Sequence, residues 1–353
     1  MESAISSLTL RKLIEEIKPE IEGKYLNKVQ QLNKDLYRFR FNPKSKDLLI
    51  EPGKRMNITK YRIQAPKKAM QSSMVFRKHL SNTRLEEIKQ IGFDRVVEMS
   101  FSNEKKVIAE LFGDGNLILL NENQEIIYAH RRGEWKHRKI IKNSEYKYPP
   151  SDTENPYEIT FKEFKESFKE KKDGKINIGK KIVVNLAVDR GLGGNLAEYI
   201  CKKSGVNKNK EEITEEEAKN IYESMIETLK KDSEPVKQNG EINPIPLKGE
   251  IEEKYESINQ AVDENYTKEK DKKEEKGKKL KKLESRLEHQ KRAIDNFKKQ
   301  SKKEKKKGDM IYENYDKISK AVELFKSGKE GREKLKKHGV KIKDGKIVLE
   351  LDQ

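Results

Sequence analysis

The chain has 353 residues, of which 40% are charged, and its formal net charge at pH 7 is +18. This excess of lysine and arginine favours a polyanionic partner, most simply nucleic acid, and no apolar run approaches the roughly 20 residues that span a bilayer. Cys201 is the only cysteine, so an intrachain disulfide is excluded. A cytoplasmic location is expected, because the N-terminus also lacks a secretory signal pattern.

The first 150 residues have the pattern of a strand-rich α+β domain. A helix is predicted over residues 8–17, where leucine and isoleucine recur at helical spacing before Pro19, and a second over residues 71–81. Alternating apolar and polar residues predict strands at 37–41, 47–52, 55–61, 84–91, 94–102, 106–112, 116–121 and 126–128. The G-D-G sequence at 113–115 predicts a tight turn between two of them.

One of these predicted strands carries an arginine in an apolar row. Phe93, Val97, Met99 and Phe101 alternate on one face, and Arg95 lies in the same row. A guanidinium is rarely buried without a partner, because its desolvation is costly. We therefore expect Arg95 either to pair inside the fold or to reach a ligand at its edge.

Residues 151–235 predict a helical module with a glycine-rich hairpin. Helices at 181–188 and 196–203 flank the turn R-G-L-G-G-N, which contains Gly191, Gly193 and Gly194. Such a turn exposes backbone N–H groups at a helix start and can hold a phosphate. Many glycine-rich turns only connect helices, so both interpretations stay open. A dinucleotide fingerprint is excluded, because Leu196 stands where its third glycine belongs.

The remaining residues predict a linker, a long basic helix and a small module. The linker covers 236–250, the helix 251–307 with a break at Lys307-Gly308-Asp309, and the module 308–353 ends in a hairpin around a D-G turn. Residues 268–307 contain 19 Lys and Arg against 8 Asp and Glu, a net of +11. An apolar heptad seam runs along the helix through Leu280, Leu283, Leu287, Ile294 and Phe297, with Gln290 in the same row.

No enzyme constellation is found, so no catalytic residue, cofactor or metal site is predicted. The histidines at 79, 130, 137, 289 and 338 lack metal-ligand spacing with each other or with Cys201. No phosphate-binding Walker loop, nucleophile elbow or zinc-protease H-E-x-x-H motif occurs. We therefore interpret the chain as a binding protein.

An ordered set of motifs resembles the NFACT family, which includes RqcH of bacteria and archaea and NEMF of eukaryotes. The motifs are R-K-H-L at 77–80, G-F-D-R at 92–95, A-E-L-F-G-D-G-N-L-I-L at 109–119 and S-I-N-Q-A-V-D-E-N-Y at 257–266. The resemblance implies an archaeal-type member. It divides the chain into an NFACT-N domain at 1–150, a helix-hairpin-helix domain at 151–235, the linker, a coiled-coil arm at 251–307 and a middle domain at 308–353. Family members continue with a returning helix and a further domain, so a fragment is expected.

The same resemblance implies a fold similar to the N-terminal domain of formamidopyrimidine-DNA glycosylases. Those enzymes use an N-terminal proline, which is absent from the start Met1-Glu2-Ser3. The resemblance also implies a quality-control factor that binds the large ribosomal subunit, with its rRNA and stalled peptidyl-tRNA. It would recruit charged tRNA, often alanyl-tRNA, so that the ribosome adds a C-terminal tail to the nascent chain without mRNA.

The resemblance further implies tRNA contacts for particular residues. The family's Asp-Arg pair matches Asp94 and Arg95, and Glu110 matches a nearby position. Arg77 and Lys78 match the R-K-H motif, and they are either supporting phosphate contacts or scaffold residues. Two other functions stay open. The chain could be a glycosylase-like nucleic-acid enzyme, or a basic coiled-coil scaffold without specific RNA recognition.

Overall fold

A nine-stranded antiparallel sheet organises the N-terminal part of this computed structural model. The structure describes residues 4–43, 46–135, 138–150, 154–170, 175–343 and 345–350, and it does not describe the side chains of residues 135, 169–170 and 268–281. Two compact units are present, Met1–Glu269 and Lys270–Gln353. The predicted α+β class is confirmed, because helices and a large antiparallel sheet share the first unit.

The sheet has the strand order β4-β3-β2-β1-β5-β6-β7-β8-β9. The elements up to residue 150 are α1 (Ser7–Ile21), β1 (Tyr25–Gln31), β2 (Tyr37–Asn42), β3 (Lys46–Glu51), β4 (Arg55–Thr59), α2 (Gln71–Leu80), β5 (Thr83–Gln90), β6 (Val96–Phe101), β7 (Lys106–Glu110), β8 (Asn116–Leu120), β9 (Ile126–Ala129), β10 (Gly133–Trp135) and β11 (Arg138–Ile140). Strands β2 to β9 and both helices confirm the predicted elements to within a few residues.

Strand β1 was missed by the sequence pattern, and α1 was predicted too short. A register shift between Leu26 and Lys28 breaks the alternation of β1, so the apolar residues no longer recur at every second position. Helix α1 continues through Pro19 and ends at Ile21, whose side chain is fully buried. Burial of the Ile21 side chain therefore outweighs the helix-breaking effect of Pro19.

Two glycine turns bring the ends of the sheet together. The backbone N–H of Gly53, between β3 and β4, donates to the carbonyl of Glu110 at 3.0 Å. A Cβ atom on Gly115, between β7 and β8, would lie 1.8 Å from the nitrogen of Gly53. Both glycines have positive φ, so backbone conformation and close approach each require glycine here.

The second half of the first unit is a helical module with small sheets. Its elements are α3 (Phe161–Glu166), β12 (Lys169–Glu170), β13 (Lys175–Asn177), α4 (Ile182–Val184) followed by a π-helix (Asn185–Asp189), α5 (Gly194–Lys203), β14 (Glu212–Thr214), α6 (Glu215–Lys230), β15 (Val236–Gln238), β16 (Glu241–Asn243) and β17 (Glu253–Lys254). A separate apolar core holds this module together and includes Phe93 from the large sheet's loop.

The predicted linker differs from what the structure shows. Strands β15 and β16 form a hairpin in it, and Val236, Ile242 and Ile245 are buried. The proline and glycine spacing that indicated a linker instead shapes short turns between these strands.

Helix α7 (Ile258–Glu313) begins later and ends later than predicted. The later start has a clear physical reason, because Glu253 and Lys254 form β17 and pair with β15. The Asn259 side chain accepts from the N–H of Ile58 at 2.7 Å and donates to its carbonyl at 2.9 Å, while Asp263 accepts from the N–H of Lys60 at 2.9 Å. β4 is an edge strand of the sheet, and these bonds occupy backbone groups along its open edge. Edge strands commonly need such protection against pairing with other chains. The predicted break at residues 307–309 is wrong, because α7 continues to Glu313.

The second unit contains the rest of α7 and a small module. The module consists of α8 (Tyr315–Lys326), α9 (Lys329–Lys337), β18 (Lys341–Lys343) and β19 (Lys346–Val348). The final hairpin confirms the prediction for this segment. Within α7, Leu287, Ile294 and Phe297 of the predicted seam are 53%, 52% and 70% exposed. Among the described residues, no helix has the length and apolar character needed to cross a membrane.

Candidate nucleic-acid interface

A cleft of about 660 Å³ in the first unit brings two of the predicted sites together. One wall is the loop before β6, with Asp94 and Arg95. Another is the hairpin turn, with Gly191, Gly193 and Gly194. Residues far apart in sequence, on the large sheet and on the helical module, therefore share one cavity.

Arg95 stands at the rim of this cleft. Arg95 is half-buried. The sequence pattern predicted that it lies in the apolar row of the strand with Val97 and Met99, but it precedes β6 and does not belong to that row. Burial lowers the pKa of its guanidinium, while the charge of Asp94 and the hydroxyl of Tyr266 partly oppose this. Within the part of the chain that the structure describes, the guanidinium makes no hydrogen bond or ion pair. Its donors are therefore available to a ligand.

Backbone bonds and one apolar side chain fix the loop that carries Arg95. The N–H of Ile91 donates to the carbonyl of Val96 at 2.9 Å, and the N–H of Leu111 donates to the carbonyl of Arg95 at 2.8 Å. Phe93 is 2% exposed and packs in the core of the helical module, where its ring centroid lies 5.8 Å from that of Tyr157. The loop is thus held between both halves of the unit.

The glycine turn opens the first turn of α5 toward the cleft. Gly193 is the N-cap residue, with φ 78° and ψ 161°, a conformation that other residues rarely adopt. Its own N–H donates to the carbonyl of Ala187 at 3.0 Å, and no side chain caps α5. Among the described residues, no acceptor is found for the N–H groups of Gly194, Asn195 and Leu196. This arrangement can receive an anionic oxygen.

The cleft also contains a negative charge. Glu241 lines it, and the Asn195 side chain donates to the Glu241 carboxylate at 3.0 Å. Apolar groups complete the walls, among them Phe112, Pro149 and Val188, which is 62% exposed. The surface can therefore combine phosphate contacts with apolar contacts to a base or ribose.

Glu110 is not open to this cleft, and its predicted role as a direct tRNA contact is corrected. It is 4% exposed, forms an ion pair with Arg138 and accepts from the hydroxyl of Tyr146 at 2.9 Å. Burial and this carboxylate both raise the pKa of Tyr146. Glu110 thus anchors the segment that leads to Pro149.

Arg77 and Lys78 lie elsewhere on the first unit. Neither is among the described residues that line the cleft. Their helix, α2, packs against β1, and Arg77 Nε donates to the carbonyl of Val29 at 2.9 Å, while Lys78 is exposed. The structure therefore does not bring them together with Arg95. A role in binding RNA elsewhere on the surface stays a prediction.

Two cleft residues were missed by the sequence interpretation. Tyr266, at the start of α7, is 6% exposed and lines the cavity, where it also stacks under the guanidinium of Arg55 at 4.6 Å from the ring centroid. Asn195 was seen only as the end of the turn. The S-I-N-Q-A-V-D-E-N-Y motif contained the signal for Tyr266, but a helical pattern does not indicate which cavity a residue borders.

Comparison with known proteins finds relatives that match most of this chain. A family model of the NFACT N-terminal and middle domains matches residues 6–340. The archaeal Rqc2 homolog aRqcH of Methanocaldococcus jannaschii is 33% identical over 313 residues, which cover 82% of this chain and 46% of that protein. The ribosome quality control complex subunit NEMF of Mus musculus is 25% identical over 376 residues, which cover 93% of this chain and 34% of that protein. The chain thus spans half or less of the length of these curated relatives.

Solved structures share the fold. The N-terminal part of the fibronectin/fibrinogen-binding protein from Streptococcus suis superposes with a TM-score of 0.63 at 22% identity, over 75% of this chain and 100% of that one. The family model spans nearly all of the present chain, from the first turn of α1 to the start of the final hairpin. The chain therefore belongs to the family defined by the NFACT N-terminal and middle domains.

Proposed function

We propose that this chain is the tRNA-holding part of a ribosome quality-control factor. In this function, the protein binds a large ribosomal subunit that still carries peptidyl-tRNA, and it recruits charged tRNA, alanyl-tRNA first among the candidates. The nascent chain then gains a C-terminal tail without mRNA. The ribosome would make the peptide bonds, so the chain would act in the cytoplasm as a positioning factor and not as an enzyme.

The observation that carries the proposal is the shared cleft. Arg95 offers guanidinium donors, and the first turn of α5 offers backbone N–H groups. Both kinds of donor suit phosphate oxygens, and a guanidinium also stacks on unpaired bases. Asp94 can accept a hydrogen bond from a base edge or from a ribose 2′-hydroxyl. The 2′-hydroxyl is the group that distinguishes RNA from DNA.

The relatives support the ribosomal setting. The names of the archaeal, mouse and yeast relatives refer to ribosome quality control or to Rqc2. The net charge of +18 suits a partner made largely of RNA. That charge also produces non-specific polyanion binding at low salt, so affinity alone does not test the proposal.

The experiment compares tRNA binding by charge-matched variants over a range of salt concentrations. We expect Arg95→Ala to weaken the binding of an alanine tRNA transcript about tenfold, the loss of one charged hydrogen-bonding contact. Asp94→Ala should reduce the preference for this tRNA over single-stranded DNA. The control is Arg84→Ala, which removes the same charge from an exposed position outside the cleft.

Equal losses of affinity from Arg95→Ala and Arg84→Ala would mean that tRNA binding depends only on net charge, and they would refute the proposed site.

Crosslinking of the full-length protein to stalled large subunits tests the wider function. We expect crosslinks from the cleft to tRNA nucleotides, and crosslinks to rRNA alone would contradict the tRNA-holding role.

A further inference from the structure

Gln90 is a buried amide behind the wall of the cleft. It is the last residue of β5 and is 5% exposed. Its Nε2 donates to the backbone carbonyl of Asp94 at 2.8 Å and to that of Ser7 at 3.1 Å. Both hydrogens of the amide are thereby used. Gln90 therefore ties the loop that carries Arg95 to the first turn of α1.

The bond to Asp94 acts on the peptide group that directly precedes Arg95. The carbonyl after Arg95 is held as well, because it accepts from the N–H of Leu111. With both flanking peptide planes fixed, the direction of the Arg95 side chain from its Cα is fixed too. Only the first of these two restraints comes from a side chain.

We propose that Gln90 is a positioning residue for Arg95, an inference that rests on the proposed tRNA-binding function of the cleft. The amide donates to two backbone carbonyls, but this arrangement has a cost. Among the described residues its Oε1 is buried without a hydrogen-bond partner, and an unpaired buried acceptor costs free energy. An apolar residue would remove that cost but would release the Asp94 carbonyl.

The test is a double-mutant cycle on binding of an alanine tRNA transcript, with Gln90→Leu, Arg95→Ala and the double variant in the full chain. We expect Gln90→Leu to weaken binding about fivefold and Arg95→Ala about tenfold. The double variant should bind no more weakly than Arg95→Ala alone, because the direction of an absent side chain has no effect. The slope of log affinity against log salt concentration should decrease in each single variant by the amount expected for about one phosphate contact.

Two results would overturn the inference. Additive losses, about fiftyfold in the double variant, would mean that Gln90 acts independently of Arg95. Unchanged binding by Gln90→Leu would mean that the amide does not orient the arginine. If Gln90→Leu does not fold, Gln90→Met, which keeps the length and removes the donors, takes its place in the same cycle. Gln71→Leu, at an exposed position of α2 outside the cleft, is the matched control.

The two proposals fail in different ways. Unchanged tRNA affinity in Arg95→Ala refutes the proposed site, and the inference about Gln90 with it. Weakened binding in Arg95→Ala with normal binding in Gln90→Leu refutes only the positioning role.

Discussion

Arg95 directly precedes β6 and Glu110 ends the neighbouring strand β7, and yet the two residues have opposite surroundings. Val96, the residue after Arg95, pairs with Glu110 in the register of β6 and β7. Glu110 is enclosed by Arg138 and Tyr146, whereas Arg95 stands at the rim of the cleft. Two charged residues in apolar strand patterns can therefore have different roles. The difference depends on whether the fold supplies a partner.

Replacing Glu110 should have the largest effect. We expect Glu110→Ala to lower the free energy of unfolding by about 3–5 kcal/mol, because the Arg138 guanidinium, whose side chain is only 12% exposed, then loses its counter-charge. Chemical denaturation measures this loss. The control is Glu134→Ala, whose ion pair with Lys139 is exposed and should contribute about 1 kcal/mol or less. A loss from Glu110→Ala as small as the control's would contradict the enclosed role.

A glycine substitution tests the shape of the cleft wall opposite Arg95. We expect Gly193→Ala to cost about 1–3 kcal/mol, because its φ of 78° and ψ of 161° fall in a region used almost only by glycine. The cost is conformational and not steric, since an added Cβ would meet no atom within 4 Å.

Gly194→Ala is the matched control for this turn. It is the first residue of α5 and also has open space around an added Cβ, but its φ is not positive. We expect it to be neutral or slightly stabilising, because alanine favours helices. Equal destabilisation by both variants would show that the turn conformation is not the cause.

The contrast between Arg95 and Glu110 also shows what the sequence could predict. Strands β5 to β8 were predicted to within two residues, because each is a short run with apolar residues that ends at turn residues. The partners of Glu110 could not be predicted in the same way. Arg138 and Tyr146 follow it by 28 and 36 residues, beyond the reach of any local pattern.

The cleft itself required the tertiary structure. Asp94, Arg95 and the glycine turn were each identified from sequence, Arg95 from its apolar surroundings and both Asp94 and Arg95 through the family resemblance. Nothing in their spacing indicated that Phe93 would anchor their loop in the core of the helical module. The contact of the Asn259 side chain with β4 has the same origin, since its partner Ile58 is 201 residues away in the sequence.

A smaller effect is expected from the acidic group in the cleft. Glu241→Gln removes a negative charge beside the α5 N-terminus but keeps an oxygen that can accept from Asn195. We expect tRNA affinity to rise about twofold at low salt and the gain to fade as salt increases, because this exposed charge is screened. Glu198→Gln makes the same charge change on α5 outside the cleft. Equal gains from both would mean that only the net charge matters.

The smallest effect on stability should come from Arg95 itself. We expect Arg95→Ala to change the free energy of unfolding by no more than about 0.5 kcal/mol, since its guanidinium has no hydrogen-bond partner among the described residues. Arg138→Ala, measured in the same denaturation series, should cost several times more, because it leaves the buried carboxylate of Glu110 without its ion pair. If Arg95→Ala proved as costly as Arg138→Ala, both arginines would belong to the scaffold. The cleft would then lose the side chain on which its proposed recognition of tRNA depends.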